Sequence, residues 1–203
     1  MKAVYIEQHG GPEVLQHGDF AKPSPAPGQV LVKVAVSGVN FIDIYHRNGL
    51  YKMPLPAVLG TEGAGTVDAL GEGVTGFKPG DSVAWTMARG SYAEYSAVPA
   101  TALVHVPAHV ALRDAAAAML QGMTAHYLTH STFPLDKTHT ALVHAAAGGT
   151  GRLIVQMAGV PIPVPGKFHI GLKLGIPEIE IGAWDFDVTA LGQMTHITTS
   201  PQS

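Results

Sequence analysis

The stretch HAAAGGTG at residues 144–151 says most about the fold, and its first residue, His144, is the last residue of the apolar run TALVH at residues 140–144. Its spacing matches a Gly-x-Gly-x-x-Gly turn with alanine at the first position, between a predicted strand and a predicted helix. In such a turn Gly148 lets the backbone approach a pyrophosphate, and Gly151 lets the helix pack against the strand. The N–H groups and partial positive charge at the helix N-terminus favour phosphate binding. Because the same pattern also occurs in turns that serve packing alone, it indicates a dinucleotide site without establishing one.

The sequence before this turn divides into a strand-rich part and a helical part. Residues 1 to about 105 contain short apolar runs separated by glycine and proline, which is typical of a β-rich, barrel-like unit. The alanine- and leucine-rich stretch that follows predicts a helix or helix pair from about Leu112 to Thr132, with Gly122 as a candidate break. The predicted strands lie in QVLVKVAVSGVN (29–40), GAGTVDALGEGV (63–74), KPGDSVAW (78–85) and SYAEYSAVPA (91–100).

The sequence after residue 158 departs from the helix that should follow a phosphate turn. Prolines at positions 161, 163 and 165 stop a helix there. The residues that follow alternate between apolar and other types with a period of two, which predicts a strand. The alternating apolar residues are Phe168, Ile170, Leu172, Leu174 and Ile176. We therefore predict three parts: residues 1–110, residues 111–158, and a strand-like or irregular tail over residues 159–203.

Composition excludes several functional classes. Apolar residues make up 46% of the 203 residues and charged residues 13%, and the net charge is −3, so a packed core is expected and a nucleic-acid partner is not. The absence of cysteine excludes disulfides, thiol catalysis and thiolate metal sites. The amino-terminal residues MKAVYIEQHGG contain no apolar signal segment, and no stretch is long enough to span a membrane. We therefore expect no membrane partner and a cytoplasmic location.

The 11 histidines raise the question of a metal site. His126 and His130 are four residues apart on the predicted helix, so one face could present both. No adjacent glutamate completes an HExxH motif, and no third ligand is evident in the sequence. A surface or packing role is the simpler interpretation, and we expect no metal.

Seven stretches together resemble a known enzyme family. They are GGPEVLQ (10–16), GVNFIDIYHRNGLY (38–51), LPAVLGTEGAGTV (55–67), GDSV (80–83), GSYAEY (90–95), AAAAMLQGMTAHYL (115–128) and HAAAGGTG (144–151). In this order they resemble the zinc-free, zeta-crystallin-like quinone oxidoreductase branch of the medium-chain dehydrogenase/reductase superfamily, over about residues 1–158. The resemblance implies a mixed α and β fold, with an N-terminal GroES-like β-barrel domain followed by a truncated Rossmann-type α/β unit.

The resemblance also implies the site residues. Asn40, Tyr45 and Tyr51 look like the family's cleft residues near the nicotinamide and the quinone, and Thr124 looks like a residue that contacts the nicotinamide side. From the residues themselves, Tyr45 and Tyr51 could be packing aromatics and Asn40 a turn residue. The implied pyrophosphate cradle is Ala147, Gly148, Gly149, Thr150 and Gly151.

The aligned positions argue against zinc. Zinc-dependent members carry cysteine where this chain has Asn40, carry Gly-His-Glu where it has residues 60–62, and contain a four-cysteine lobe that this chain lacks. The resemblance thus implies zinc-free hydride transfer from NADPH, with NADH not excluded, to a quinone or related activated enone. NADPH is inferred from the branch, because the ribose-binding position has no counterpart here. A homodimer is compatible with the family. The alternative is a non-catalytic, truncated or frame-altered product that keeps the barrel domain without a complete cofactor site.

Overall fold

The computed structural model of the protein describes residues 1–136, 138–139, 141–158, 167–173, 180–188 and 194–199. The strands are β1 (Lys2–Ile6), β2 (Gln16–Asp19), β3 (Gln29–Gly38), β4 (Ala57–Val58), β5 (Glu62–Leu70), β6 (Ser82–Thr86), β7 (Tyr95–Pro99), β8 (Leu103–His105), β9 (Lys167–Lys173), β10 (Glu180–Val188) and β11 (Met194–Thr199). The helices are α1 (Phe41–Asn48), α2 (Leu112–His126) and α3 (Gly149–Met157). The chain divides into two compact units, Met1–Leu120 and Gln121–Ser203.

The first unit contains two antiparallel sheets. A five-stranded sheet has the order β7-β3-β5-β6-β8, and a three-stranded sheet has the order β2-β1-β4. A single bridge between Ala3 and Ala93 connects β1 to the segment before β7. The predicted mixed α and β fold is confirmed. The described strands form no closed barrel, because β1 meets that segment through one bridge and not through a continuous ladder.

The core of the first unit lies on the inner face of the larger sheet. Val30 and Val32 of β3 are fully buried and Lys33 is exposed, but Leu31 on the opposite face is buried as well, so β3 is buried on both faces where it begins. Burying these apolar side chains removes them from water, which is the main favourable term in folding. The cluster consists of Val30, Val32, Val67, Val83, Trp85, Val98 and Leu103.

The helix predicted from about Leu112 is present, but it is not broken at Gly122. Helix α2 runs through Gly122 without interruption, and a π-helical segment, Tyr127–Thr132, follows it. One glycine inside a helix costs only about 1 kcal/mol relative to alanine, and the alanine-rich sequence around it favours helix. Within the part of the chain that the structure describes, no helix is both long and apolar enough to cross a bilayer.

The predicted strand before the Gly-rich turn is wrong. The described residues 141–143 form no strand, and a turn follows at residues 144–147 before α3 begins at Gly149. A strand is stable only when another strand pairs with it. The described strands of this unit pair with one another, in the antiparallel order β11-β10-β9. Strand β9 lies in the stretch where alternation predicts a strand, whereas Leu174, Ile176 and the three prolines lie outside the described residues.

Candidate functional site

Helix α1 begins at a reciprocal arrangement of two polar residues. Asn40 is the N-cap, with an extended backbone (φ −133°, ψ 154°), and its N–H donates a hydrogen bond to Asp43 Oδ2 at 3.0 Å. This contact satisfies an N–H group that the helix itself leaves unpaired, and a carboxylate in the first turn interacts favourably with the helix dipole. The helix ends at Gly49, whose φ of 84° lies in the left-handed region that glycine tolerates.

Asp43 collects donors from three separate segments. Besides the Asn40 N–H, it accepts hydrogen bonds from Thr61 Oγ1 at 3.0 Å and from the Tyr92 hydroxyl at 2.7 Å. Asp43 and Thr61 are buried, and Tyr92 is half-buried. Burial, followed by the hydrogen bond to Asp43, raises the pKa of the Tyr92 phenol above its ordinary value. Tyr92 therefore serves as a neutral donor to a buried carboxylate.

Glu62, the first residue of β5, holds the side chain of Asn40. Glu62 is 2% exposed, and its Oε2 accepts a hydrogen bond from Asn40 Nδ2 at 2.8 Å. Its other oxygen, Oε1, accepts from the backbone N–H of Leu120 at 2.6 Å. Gly38 makes room for this carboxylate, since a Cβ at that position would overlap it. Both oxygens of the buried carboxylate are thereby satisfied.

The segment that contains α1, residues 39–51 (the α1 segment), also presents aromatic and apolar side chains to the surface. The rings of Tyr45 and Tyr51 meet edge to face, with centroids 5.6 Å apart, and Tyr51 N–H donates to the Tyr45 carbonyl at 3.0 Å. Tyr51 is about half exposed. Other large apolar residues of this segment are also exposed, and they are Val39, Phe41, Ile44 and Leu50. A group of exposed apolar side chains in one segment is typical of a surface that contacts a ligand or another protein surface.

The Gly-rich turn is shaped by backbone contacts close in sequence. Gly148 N–H donates to the Ala145 carbonyl at 2.8 Å, and Ala145 itself has a left-handed φ of 50°. Gly151 is buried, and a Cβ there would overlap the Ala145 carbonyl oxygen and lie 2.7 Å from Ala146 Cα. The start of the helix therefore packs on its own turn, and this packing requires glycine at position 151.

The predicted site residues fall into two groups. The first unit holds Asn40 at the N-terminus of α1 and Tyr45 in contact with Tyr51. In the second unit, Thr124 is half-buried in α2. The remaining predicted residues form the turn and first residues of α3, and they are Ala147, Gly148, Gly149, Thr150 and Gly151.

Two polar residues that contact the predicted site residues were not predicted from the sequence. No contact was predicted for Glu62, although the structure places its carboxylate on the Asn40 amide. Gln121 was not singled out, although its side-chain amide lies against Gly149 at the start of α3. Gln121 could have been found from the sequence, because it lies in the same QGMT stretch as the predicted site residue Thr124.

The paired histidines of the second unit lie side by side. The rings of His126 and His130 stack with centroids 4.3 Å apart, and His130 Nδ1 lies 2.8 Å from Thr129 Oγ1. In the part of the chain that the structure describes, no group of three or more His, Asp or Glu side chains is arranged to hold a metal ion. The pair supplies two ligands where a protein zinc site has three or four.

Comparisons with known proteins agree with the resemblance found in the sequence. Residues 26–108 match the alcohol dehydrogenase GroES-like domain. The chain is 45% identical to the quinone oxidoreductase of Pseudomonas aeruginosa over 159 residues, which cover 77% of this chain and 49% of that protein. It is also 40% identical to the 2-haloacrylate reductase of a Burkholderia species, over 77% of this chain and 49% of that protein.

Solved structures give the same result. A quinone oxidoreductase from Pseudomonas syringae matches with a TM-score of 0.75 and 45% identity, covering 77% of this chain and 49% of that chain. The Escherichia coli quinone oxidoreductase in complex with NADPH matches with a TM-score of 0.74 and 39% identity, covering 78% and 49%. The resemblance to the quinone oxidoreductases is confirmed, and the chain spans about half the length of the relatives it matches.

Proposed function

We propose that the chain takes part in NADPH-dependent reduction of a quinone or a related activated enone by hydride transfer. The observation that carries this proposal is the Asn40 amide, which Glu62 holds at the start of an α1 segment with exposed aromatic and apolar side chains. A quinone is flat, apolar and rimmed by carbonyl acceptors, so it matches an apolar surface beside an N–H donor. The similarity to quinone oxidoreductases supports this assignment of the substrate class.

The Gly-rich turn fits the pyrophosphate of a dinucleotide. Residues Gly148 and Gly149 bring no side chain to the N-terminus of α3, and the first N–H groups of a helix have no intrahelical partner. Gly151 allows the helix to begin directly on the turn. The Escherichia coli relative is a complex with NADPH, which supports NADPH as the ligand, and NADH is the comparison to make.

The chemical contribution of the chain is binding, orientation and one hydrogen bond. When bound, NADPH supplies the hydride. Tyr45 and Tyr51 would pack against the substrate ring, and Thr124 would contact the nicotinamide side. Asn40 Nδ2 donates one hydrogen to Glu62, and its second hydrogen would donate to the substrate carbonyl oxygen, where negative charge would develop during reduction. A proton from solvent then completes the reduction.

Zinc has no part in the proposed reaction. A quinone is already electrophilic, so it needs little help from a Lewis acid. The donor set agrees, since Asn40 and Thr61 occupy positions where zinc-dependent relatives carry thiolate and imidazole ligands. A cytoplasmic location and a homodimer belong to the proposal as expectations. The similarity to a 2-haloacrylate reductase supports including substituted acrylates among the substrates to be tested.

A non-catalytic protein is the second candidate. The observation that favours it is the missing strand at the described residues 141–143, because a phosphate turn normally follows a strand of a sheet. Such a protein would keep the fold of the first unit without binding cofactor.

Calorimetric titration of the full chain with NADPH, and with NADH for comparison, separates the two candidates. The oxidoreductase proposal expects saturable binding at micromolar concentrations, followed by quinone-dependent oxidation of NADPH that a chelator does not inhibit. A folded chain, by circular dichroism, that shows no binding at millimolar cofactor would contradict the proposal and favour the non-catalytic protein.

A further inference from the structure

Glu62 is an acceptor on which two donors from different elements converge. Its Oε2 faces Asn40 Nδ2 and its Oε1 faces Leu120 N–H. We infer that Glu62 is a positioning residue, which sets the orientation of the Asn40 amide and so aims the second Nδ2 hydrogen at the carbonyl oxygen of a ligand. This inference rests on the proposed function, in which Asn40 contacts that oxygen.

An asparagine amide can present either its oxygen or its nitrogen to a neighbour, and its surroundings decide which. At Asn40 the neighbour is a carboxylate that already accepts the Leu120 N–H. The reversed amide would set Oδ1 against Glu62 Oε2, with two acceptors facing each other and no hydrogen between them. Glu62 therefore favours the nitrogen facing inward, in agreement with the capping box, in which the Asn40 side chain accepts from the Asp43 backbone N–H. One Nδ2 hydrogen is then used and the other remains a donor.

The carboxylate itself has little freedom to move. Glu62 is almost fully buried, and the backbone of Gly38 lies directly against it, where any larger residue would overlap the carboxylate. Its two hydrogen bonds reach partners 22 and 58 residues away in sequence. The Glu62 carboxylate is therefore held from two sides in a space of its own size. It keeps the Asn40 amide within a narrow range of orientations, which is what positioning a hydrogen-bond donor requires.

Replacing Glu62 by glutamine tests the role of the second acceptor oxygen. In E62Q one acceptor must serve two donors, because the introduced amide nitrogen can only donate. One of the two hydrogen bonds of the wild type, to the Asn40 amide or to the Leu120 N–H, is then lost. We expect the Asn40 side-chain amide signals in a ¹⁵N correlation spectrum to shift and broaden, and kcat for quinone reduction to fall about 100-fold. The signals are assigned by their loss in N40D, and E94Q, at an exposed glutamate, is the matched control that retains wild-type behaviour.

The double variant N40D/E62Q separates positioning from folding. The carboxylate at position 40 can accept from the new amide nitrogen at position 62, while the oxygen of that amide accepts from Leu120 N–H. The hydrogen bond between positions 40 and 62 is restored, but position 62 now donates it and position 40 accepts it. The side chain at position 40 can therefore no longer donate a hydrogen to the ligand. We expect the Tm lost in E62Q to return in the double variant while kcat remains low.

Each outcome decides the inference. Wild-type amide signals and wild-type kcat in E62Q would overturn it, and so would a double variant that recovers kcat together with Tm, because Glu62 would then serve the fold alone. If the wild-type chain does not turn over at all, the proposed reaction fails. The Asn40 amide signals in E62Q still show in that case whether Glu62 orients the amide.

Discussion

The polar cluster at the start of α1 and the Gly-rich turn before α3 are held in different ways. The α1 cluster comprises Asn40, Asp43, Thr61, Glu62 and Tyr92, and its side-chain hydrogen bonds join residues 18, 22 and 49 positions apart. The turn at residues 144–151 is held by hydrogen bonds between residues three and four positions apart, such as Gly148 to Ala145. The cluster thus depends on the tertiary fold of its unit, whereas the turn depends on its own backbone.

This difference shows what each segment can contribute. A network of buried groups joined over long distances is geometrically precise, but the loss of one member leaves several partners unsatisfied. A turn set by local contacts can form without the strand that normally precedes it, which explains how residues 144–148 take a turn next to a segment that is not a strand. Substitutions in the cluster should therefore affect stability most, and substitutions in the turn should affect ligand affinity.

The largest effect is expected for D43A. The substitution leaves three donors, Asn40 N–H, Thr61 Oγ1 and the Tyr92 hydroxyl, without their shared acceptor in a buried site. We expect the free energy of unfolding to fall by about 3 kcal/mol. Urea unfolding followed by tryptophan fluorescence measures this change.

The matched control for D43A is D19A. Asp19 forms an ion pair with Lys2 at 2.9 Å, but both side chains are exposed, and such pairs contribute little to stability. We expect D19A to unfold at nearly the wild-type urea concentration. Equal losses in the two variants would show that the α1 cluster does not depend on Asp43.

Strands and helices whose residue pattern repeats along the sequence could be predicted from it. The hydrogen bonds of the α1 cluster could not. Strand β3 carries alternating valines and α2 an alanine-rich run, so the local sequence is sufficient for both. Even the Asn40–Asp43 pair has a recognisable capping pattern, because its partners are three residues apart. The bond between Asn40 and Glu62 has no such pattern, since only the pairing of β3 with β5 brings residues 22 positions apart together.

The strand predicted before the Gly-rich turn is absent at the described residues 141–143 for a related reason. Its apolar residues satisfy the pattern of a buried strand, and a helix follows the turn as expected. A strand, however, requires a partner to complete its hydrogen bonds, and the local sequence does not contain that partner. Local sequence patterns thus predicted the turn and the helix, because their hydrogen bonds join residues three or four positions apart. They did not predict the strand correctly, because its hydrogen bonds need a distant partner.

The second largest effect is expected for G151A, which should weaken the binding of NADPH. A Cβ at Gly151 would overlap the carbonyl oxygen of Ala145 and press on Ala146 Cα, both of which are backbone atoms that cannot move without changing the turn. Strain of this kind costs about 1–3 kcal/mol, so we expect NADPH to bind about tenfold more weakly or worse. Calorimetric titration of the wild type and the variant provides the comparison.

G18A, in β2, is the matched control for G151A. A Cβ at Gly18 would lie 3.9 Å from its nearest neighbour, the Tyr5 hydroxyl, which is an ordinary contact. We expect NADPH affinity close to that of the wild type. If G18A weakens binding as much as G151A does, the loss does not come from the packing of α3 on its turn.

The smallest effect is expected for Y92F, and it depends on pH. The substitution removes the hydrogen bond to Asp43, so at pH 7 we expect a loss of about 1 kcal/mol in the free energy of unfolding. The folded protein holds the Tyr92 proton more tightly than the unfolded chain does, because burial and Asp43 raise the pKa of the phenol above its ordinary value of 10.0. The contribution of Tyr92 is therefore complete below pH 10 and declines as the pH rises above 10.

Unfolding free energies of the wild type and Y92F, measured from pH 7 to pH 11, test this sign. The gap between the two should be constant up to about pH 10 and should narrow above it, since only the wild type has this phenol to ionise. Y51F, which alters a half-exposed tyrosine outside the α1 cluster, should retain the alkaline loss of the wild type. A gap between wild type and Y92F that widens with pH would mean that Tyr92 is more easily ionised in the folded protein, and that Asp43 is not its hydrogen-bond acceptor.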